Sequence, residues 1–143
     1  MTAKEYLNQA FWIDRGITSK LQQIESLNAL ATRATAVFSD MPVQRSRNIH
    51  KTEDCIVKII DLENSIKEDM ERLVDEKRDV VETISRIESK EQQAVLEKRY
   101  LCFMPWEEVA AETNYSIQHV FRLHGQALKE IDEILKMRVH ESE

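Results

Sequence analysis

Apolar residues recur at helical spacing through the first quarter of the chain. The intervals alternate between three and four residues, at Ala10, Ile13, Ile17, Ile24, Leu27, Ala31, Ala34 and Phe38. Leu21 fills the one gap from the adjacent position. This period places the apolar side chains on one face of a helix. The pattern therefore predicts one long helix over residues 4–38, in which Gly16 marks a close contact or a bend.

The next segment, SDMPVQRSRNIHK, breaks this pattern. Pro42 lacks a backbone N–H and stands among polar residues, a combination typical of a loop. The sequence therefore predicts a basic loop over residues 39–51, in which Arg45, Arg47 and Lys51 are candidates for contacts with phosphate.

A second long helix is predicted from Thr52, a good N-cap residue, to about Glu88. An unbroken heptad spacing runs through it, at Ile56, Ile59, Glu63, Ile66, Met70, Leu73, Lys77, Val80, Ile84 and Ile87. Further apolar residues widen this line on one side, at Ile60, Val74 and Val81. So wide an apolar face favours a helical bundle, or more than one partner helix, over a bare two-stranded zipper.

The two long helices have matched lengths and a short connection, which predicts an antiparallel hairpin. Each helix would span about 50 Å at 1.5 Å per residue. One hairpin leaves much of its apolar surface uncovered. We therefore expect self-association into a homodimer or a larger homo-oligomer. The alternative is that the C-terminal helices fold back and bury the surplus.

Two polar residues on the heptad line, Glu63 and Lys77, could set the register of self-association. An antiparallel pairing of two copies centred near Met70 would place Glu63 opposite Lys77 twice. In the alternative, both side chains reach the edge of the apolar face and extend into water.

The last third of the chain changes to shorter helical segments. Pro105 suits the first turn of a helix, so WEEVAAE is predicted to form a short one. Asn114 tolerates a left-handed turn, and Ser116 is a plausible N-cap for a last helix that runs to about Met137. The apolar face of this helix comprises Val120, Leu123, Ala127, Leu128, Ile131 and Leu135. Two helices joined by so short a turn form a helix-turn-helix.

Composition agrees with an all-α fold, because 32% of the residues are charged and the chain has only 2 Gly and 2 Pro. No apolar run is long enough for a membrane span, and the N-terminus lacks the features of a signal peptide. We therefore expect a cytoplasmic protein without a membrane partner. Cys55 and Cys102 form no CxxC motif and are expected to be free thiols.

Charge is unevenly distributed along the chain. The net charge of −6 divides into +3 for residues 1–51, −6 for residues 52–88 and −3 for residues 89–143. A phosphate backbone would repel the middle segment. Any contact with nucleic acid must therefore come from a local basic surface.

The stretch LEKRYLCFMPWEEVAAETNYSIQHVFRLHGQALKEI resembles region 4 of bacterial sigma factors, which binds the −35 promoter element. The matching residues are Arg99-Tyr100, Glu108-Val109-Ala110, Ser116, Val120, Arg122 and Ala127-Leu128. The chain departs from the sigma pattern in the recognition helix, where an arginine-rich turn is replaced by Ile117, Gln118, His119 and Phe121. Asn114 also stands where glycine is usual, and the sigma region that melts the −10 element has no counterpart.

The whole chain, including AKEYLNQAFWIDRGI, ATRATAVFSDMP and IVKIIDLENSI, is similar to a small family encoded in phages and prophages of Gram-positive bacteria. That family is related to the ArpU-type late transcriptional regulators. The resemblance implies a transcriptional regulator that binds double-stranded DNA. The long hairpin would support assembly or contact with host RNA polymerase.

Several residues at the start of the last helix are candidates for DNA contact. Gln118 can pair with adenine, and Arg122 with guanine or phosphate; they lie four apart and share a helix face. His119 is close enough to reach a base edge or a phosphate. The alternative for all three is a solvated polar face. The remaining candidates are Ser116, Ile117, Phe121 and Lys129.

Two of these candidates have a second interpretation. Phe121 would touch a thymine methyl group or pack against the hairpin. Ser116 would cap the helix, donate to phosphate, or do both. Lys129 is a candidate for phosphate contact alone.

Catalytic and metal-binding patterns are missing from the sequence. His119 and His124 are five residues apart, which does not match the i, i+4 spacing of a metal-binding helix. There is no phosphate loop or nucleophile motif. We therefore expect neither an enzyme nor a cofactor.

The sequence thus predicts a hairpin over residues 1–88 for oligomerisation or partner binding, and a DNA-binding module over residues 89–143. The leading functional hypothesis is a phage or prophage transcriptional regulator. One alternative is a protein-interaction module that binds RNA polymerase or another phage protein without DNA. Another is a recognition subunit for DNA packaging.

Overall fold

A computed structural model describes the backbone of residues 1–37 and 45–141, and the side chains of residues 1–33 and 49–141. The elements are α1 (Ala3–Val37), α2 (Arg45–Ser85), α3 (Lys90–Leu96), a π-helix (Glu97–Leu101), α4 (Trp106–Thr113) and α5 (Ile117–Glu141). These ranges contain no strand, which confirms the predicted all-α fold. Within them, no helix is both long and apolar enough to span a membrane.

A capping box starts α1. The Thr2 hydroxyl accepts the Glu5 N–H at 3.2 Å, and the Glu5 carboxylate accepts the Thr2 N–H at 3.1 Å. The helix continues through Gly16, and a Cβ placed there would meet no atom within 4 Å. The predicted close contact at Gly16 is therefore wrong. The C-terminal part of the prediction, including Ala34 and Phe38, lies outside the residues whose side chains are described.

The second helix begins at Arg45, not at Thr52, so the prediction of a loop through Lys51 is wrong. The segment from Arg45 to Lys51 contains neither Pro nor Gly, so the helix extends through it and Thr52 is an interior residue instead of a cap. Lys51 is exposed on α2. The side chains of Arg45 and Arg47, and all of residues 38–44 with Pro42, lie outside the described part.

The contacts divide the chain into two compact units, residues 13–72 and residues 1–12 with 73–143. In the unit of residues 13–72, Ile17 of α1 and Ile66 of α2 are both buried. The Lys20 ammonium donates to the Ser65 hydroxyl and to the Asp69 carboxylate, both at 2.5 Å. In this unit α1 and α2 therefore pack side by side.

The other unit contains the start of α1, the end of α2 and the C-terminal helices. Its larger core consists of Ala3, Tyr6, Leu7, Val80, Ile84, Ile87, Leu96, Tyr100, Ala127 and Ile131. A boundary at residue 88 would cut through this core, so the compact units differ from the two domains predicted from the sequence. The fold-back of the C-terminal helices is observed for this part of the chain, because α5 buries Ala127 and Ile131 in the same core.

A polar network ties three helices of this unit together at the edge of its larger core. Arg138 of α5 donates to both carboxylate oxygens of Asp79 on α2, at 2.9 and 3.3 Å. The Tyr6 hydroxyl of α1 donates to Asp79 and lies 2.9 Å from the Thr83 hydroxyl. The hydrogen bond from Arg138 holds the pKa of Asp79 below its usual range, and burial raises the pKa of Tyr6. Asp79 is therefore charged at neutral pH and Tyr6 is a proton donor.

The helix that begins at Lys90 changes its winding near the middle. Ser89 caps α3 by accepting the Gln92 N–H at 3.3 Å. From Glu97 onward the helix continues as a π-helix, whose last bond runs from the Cys102 N–H to the Glu97 carbonyl at 3.1 Å. This wider winding ends in Phe103, whose φ of 57° is left-handed.

The network around Asp79 yields the first prediction. Tyr6→Phe removes the hydroxyl that bridges α1 to Asp79 and Thr83, and we expect it to lower the free energy of unfolding by about 1 kcal/mol. The measurement is urea unfolding followed by circular dichroism. The matched control is Tyr115→Phe, because the described contact of Tyr115 is made by its ring. Equal stability of the Tyr6 variant and the wild type would contradict this role.

Candidate nucleic-acid interface

The turn between α4 and α5 is built around Asn114. This residue ends α4 in the left-handed conformation, with φ 61° and ψ 24°. The Tyr115 N–H bonds to the Ala110 carbonyl at 3.2 Å, and the Asn114 N–H to the Ala111 carbonyl at 3.4 Å. These are the two bonds of a Schellman motif. The left-handed conformation predicted at Asn114 is confirmed, and it fixes the direction in which the chain leaves α4.

Ser116 caps α5, as its sequence position indicates. Its hydroxyl accepts the His119 N–H at 3.2 Å, and its carbonyl accepts the Val120 N–H at 3.0 Å. The first turn of α5 contains no acidic side chain. The N-terminal end of α5 is therefore free of carboxylates, and its helix dipole is positive there.

One face of α5 is anchored in a second, smaller core. Val120 and Leu123 of α5 pack there with Val95 of α3 and Val109 of α4, and all four are buried. Partly buried residues complete this core, namely Met104, Trp106, Ala110 and Tyr115. The apolar face predicted for the last helix is thus confirmed at Val120 and Leu123. The opposite face of α5 is the one that remains for a ligand.

A half-buried histidine, His124, provides a second anchor for α5. The His124 Nε2 lies 2.6 Å from the Tyr100 hydroxyl, and its ring lies 4.6 Å, centroid to centroid, from that of Trp106. The Arg99 guanidinium stacks on the Trp106 ring, 4.5 Å from its centroid, and donates to the Met104 carbonyl at 2.9 Å. These contacts connect the π-helix, α4 and α5.

The environment of His124 keeps its imidazole neutral. The pKa of His124 is lowered from 6.5 to about 4, chiefly by burial and also by the positive charges of Lys4 and Arg99. Because burial also raises the pKa of Tyr100, the phenol keeps its proton. The Tyr100 hydroxyl and the His124 Nε2 therefore form a hydrogen bond between two neutral groups.

The free face of α5 carries the residues predicted to contact DNA. Gln118, Arg122 and Lys129 are exposed. They follow one another by four and seven residues, so they share one side of the helix. Lys129 lies about 10 Å beyond Arg122 along the helix axis. The structure therefore brings these three candidates together as one row.

His119 differs from its neighbours because it is half-buried and already has partners. Its ring packs edge-on against Tyr115, with 4.8 Å between centroids. Its Nδ1 forms a hydrogen bond with the Arg122 guanidinium. His119 therefore positions Arg122 over the first turn of α5 and is only partly available to a ligand.

Phe121 and Ile117 lie beside this row. Phe121 is 46% exposed, and its ring meets Trp106 edge-on at a centroid distance of 5.4 Å. The described ring contact of Phe121 is thus with α4, and its exposed part remains available to a ligand. Ile117 is half-buried at the start of α5.

The surface around the row has few free cations. Glu107 and Glu108 are exposed at the start of α4, and Glu112 pairs with Lys98 at 3.3 Å. Arg122 and Lys129 are the permanent cations of the row. The electrostatic attraction of this surface for phosphate is therefore small for one copy of the chain.

The remaining candidates belong to α2. Lys51 is exposed in the unit of residues 13–72, as are Glu63 and Met70. Lys77 belongs to the unit that contains α5, and its ammonium lies over the Phe103 ring at 4.8 Å from the centroid. Cys55 and Cys102, as expected, are free thiols.

Sequence reasoning missed the roles of Tyr115 and His124. Tyr115 stands in the turn, where its ring supports His119. His124 was considered only as a metal ligand, although it lies four residues after Val120 on the inward side of α5. That spacing was the available signal for a buried position.

The comparison with protein families gives one result. The model of a family described as a protein of unknown function, DUF1492, matches residues 34–132. The chain belongs to this family. The match covers α2 to α4 and most of α5, so it includes the whole candidate interface. Searches of curated proteins and of solved structures find no match.

The left-handed turn yields the second prediction. Asn114→Ala should lower the free energy of unfolding by about 1 kcal/mol, because a Cβ without a local hydrogen-bonding group is costly at positive φ. Asn114→Gly should be tolerated. Thermal unfolding measures both, with Asn64→Ala on the exposed side of α2 as the control. A loss as large in the glycine variant would contradict the left-handed turn.

The neutral imidazole of His124 yields the third prediction. The unfolded chain binds a proton at His124 below pH 6.5, whereas the folded protein does not until the pH nears about 4. Acidification through this window therefore favours unfolding. We expect the urea midpoint to fall from pH 7 to pH 5, and to fall less in His124→Gln. His140→Gln, which changes an exposed histidine of the same helix, should retain the wild-type dependence. Identical pH dependence of all three proteins would rule out a neutral His124.

Proposed function

We propose that this protein is a DNA-binding transcriptional regulator of phage or prophage genes, in which α4 and α5 act as a helix-turn-helix similar to sigma region 4. Helix α5 would enter the major groove of double-stranded DNA. The proposal places the protein in the bacterial cytoplasm, where it would meet the host RNA polymerase.

The observation that carries the proposal is the division of α5 into two faces. Val120 and Leu123 are buried in the core with α4, whereas Gln118, Arg122 and Lys129 are exposed in one row. A recognition helix needs this division, because its buried side sets its orientation while its free side contacts bases. The left-handed Asn114 and the Ser116 cap fix where the free side begins.

The chemistry of the row suits base recognition. Glutamine can bond to adenine through two hydrogen bonds, and arginine to guanine in the same manner. His119 holds the Arg122 guanidinium, which reduces the conformational entropy lost on binding. Lys129 is placed for a phosphate contact, and the positive end of the α5 helix dipole would favour another.

A single copy is expected to bind DNA with low affinity, because the row has only two permanent cations. Sigma factors carry more arginines in the corresponding turn. A second copy on the same DNA, or binding to RNA polymerase, would supply the missing affinity by joint binding.

Selection of binding sites from a random pool of DNA tests the proposal. The full-length protein at low salt should enrich one motif. Gln118→Ala and Arg122→Ala should each weaken binding to that motif about tenfold or more, because each removes a bidentate contact. The control is Lys136→Ala, which removes a positive charge about 21 Å beyond Arg122 along α5. We expect this variant to keep near wild-type affinity.

A protein-interaction module is the second candidate function. The acidic residues at the start of α4 and the small number of cations favour it. In that case no motif would be enriched even at low salt, and the polymerase would bind the wild type but not a variant of the exposed row, such as Gln118→Ala.

A further inference from the structure

A row of apolar residues on α2 remains exposed although the helix packs against α1. Six of its members are between 44% and 55% exposed, namely Ile49, Ile56, Ile60, Met70, Val74 and Val81. Together with Glu53, Glu63, Lys67 and Lys77 they form one continuous heptad spacing along α2. We call these ten residues the outer stripe. Four charged residues thus interrupt an otherwise apolar coiled-coil seam.

The outer stripe is distinct from the buried side of α2. Ile60, Lys67, Val74 and Val81 each directly follow an inward residue, namely Ile59, Ile66, Leu73 and Val80. Successive residues of a helix are about 100° apart, so the stripe lies about a quarter of a turn from the side that packs on α1. A second helical hairpin can approach there without displacing α1, as in a four-helix bundle.

We infer that the outer stripe binds the outer stripe of a second copy of this chain, antiparallel, with the twofold axis between Glu63 and Lys67. In this register, Ile56 faces Val74 of the second copy and Ile60 faces Met70. Glu63 faces Lys67, and Glu53 faces Lys77. Ile49 faces Val81. Every apolar residue of the stripe meets an apolar one, and every acidic residue meets a basic one.

The spacing of the stripe supports the same register. From Glu63 upward the intervals are four, three, four, three and four residues, ending at Val81. From Lys67 downward they are also four, three, four, three and four, ending at Ile49. The two copies therefore stay in step through the whole stripe, so each side chain meets its counterpart in a common layer.

Other arrangements lose this complementarity. A shift of one heptad in one direction would place Lys67 opposite Met70 and Lys77 opposite Ile60. A shift in the other direction would place Lys67 opposite Ile56. Parallel pairing in register would bring Glu63 against Glu63 and Lys67 against Lys67, and like charges in contact cost affinity. Charge therefore selects one register and one orientation.

The inferred register also differs from the pairing of Glu63 with Lys77 that the sequence suggested. In that pairing, the four-residue interval from Glu63 to Lys67 would lie against the three-residue interval from Val74 to Lys77. The side chains next to the pair would therefore not lie opposite one another. Lys77 also lies over the Phe103 ring of its own chain. Lys67 is exposed. The central pair in a dimer is therefore Glu63 with Lys67.

Exchange of the central charges tests the inference without DNA, so its outcome is independent of the proposed function. Molecular mass is measured by sedimentation equilibrium at micromolar concentration and low salt. We expect a dimer for the full-length wild type. Glu63→Lys and Lys67→Glu should each raise the dissociation constant about 10- to 100-fold, because each puts like charges in contact. The double variant Glu63→Lys/Lys67→Glu should restore the dimer.

The control is Glu68→Lys, the same change at an exposed position on another side of α2. It should retain the dimer, and circular dichroism checks that every variant keeps its helices. A monomeric wild type, or a dimer unaffected by either single change, would overturn the inference. The inference would also be overturned if Glu63→Lys/Lys77→Glu restored the dimer and Glu63→Lys/Lys67→Glu did not. A ring of more than two copies would overturn it as well.

Discussion

Helix α5 has one apolar face, and the rest of its unit depends on how that face is divided. Its first half packs in the small core with α4, through Val120 and Leu123. Its second half packs in the larger core with the start of α1 and the end of α2, through Ala127 and Ile131. One helix thus connects the turn at Asn114 to the start of α1 and the end of α2. The exposed row of Gln118, Arg122 and Lys129 is held in place as a consequence.

The sequence was sufficient for the local features of this unit. Helical periodicity identified the buried positions of α5, and turn chemistry identified Asn114 and Ser116. The links between distant residues could not be predicted, because single-sequence patterns do not say which helices meet. The contacts of Arg138 with Asp79 and of Tyr6 with Asp79 join residues 59 and 73 positions apart. The π-helix also has no hydrophobic signature that separates it from an α-helix.

The wide apolar face of α2 shows the same limit. The sequence indicated that this helix has more apolar surface than one partner can cover, but it could not divide the surface between partners. Burial divides it, since Ile59, Ile66 and Leu73 pack inward while Ile60 and Val74 are exposed. Only after that division does the charge pattern of the exposed part become visible. Membership of the DUF1492 family adds no activity, so the proposed function rests on the two faces of α5.

We propose that the exposed row at the start of α5 is the surface that contacts DNA. Amide hydrogen exchange of the full-length protein, with and without duplex DNA at low salt, tests it most directly. We expect slower exchange in residues 114–122 when DNA is added, with little change in residues 13–72. Protection confined to the long helices, or no protection at all, would contradict it.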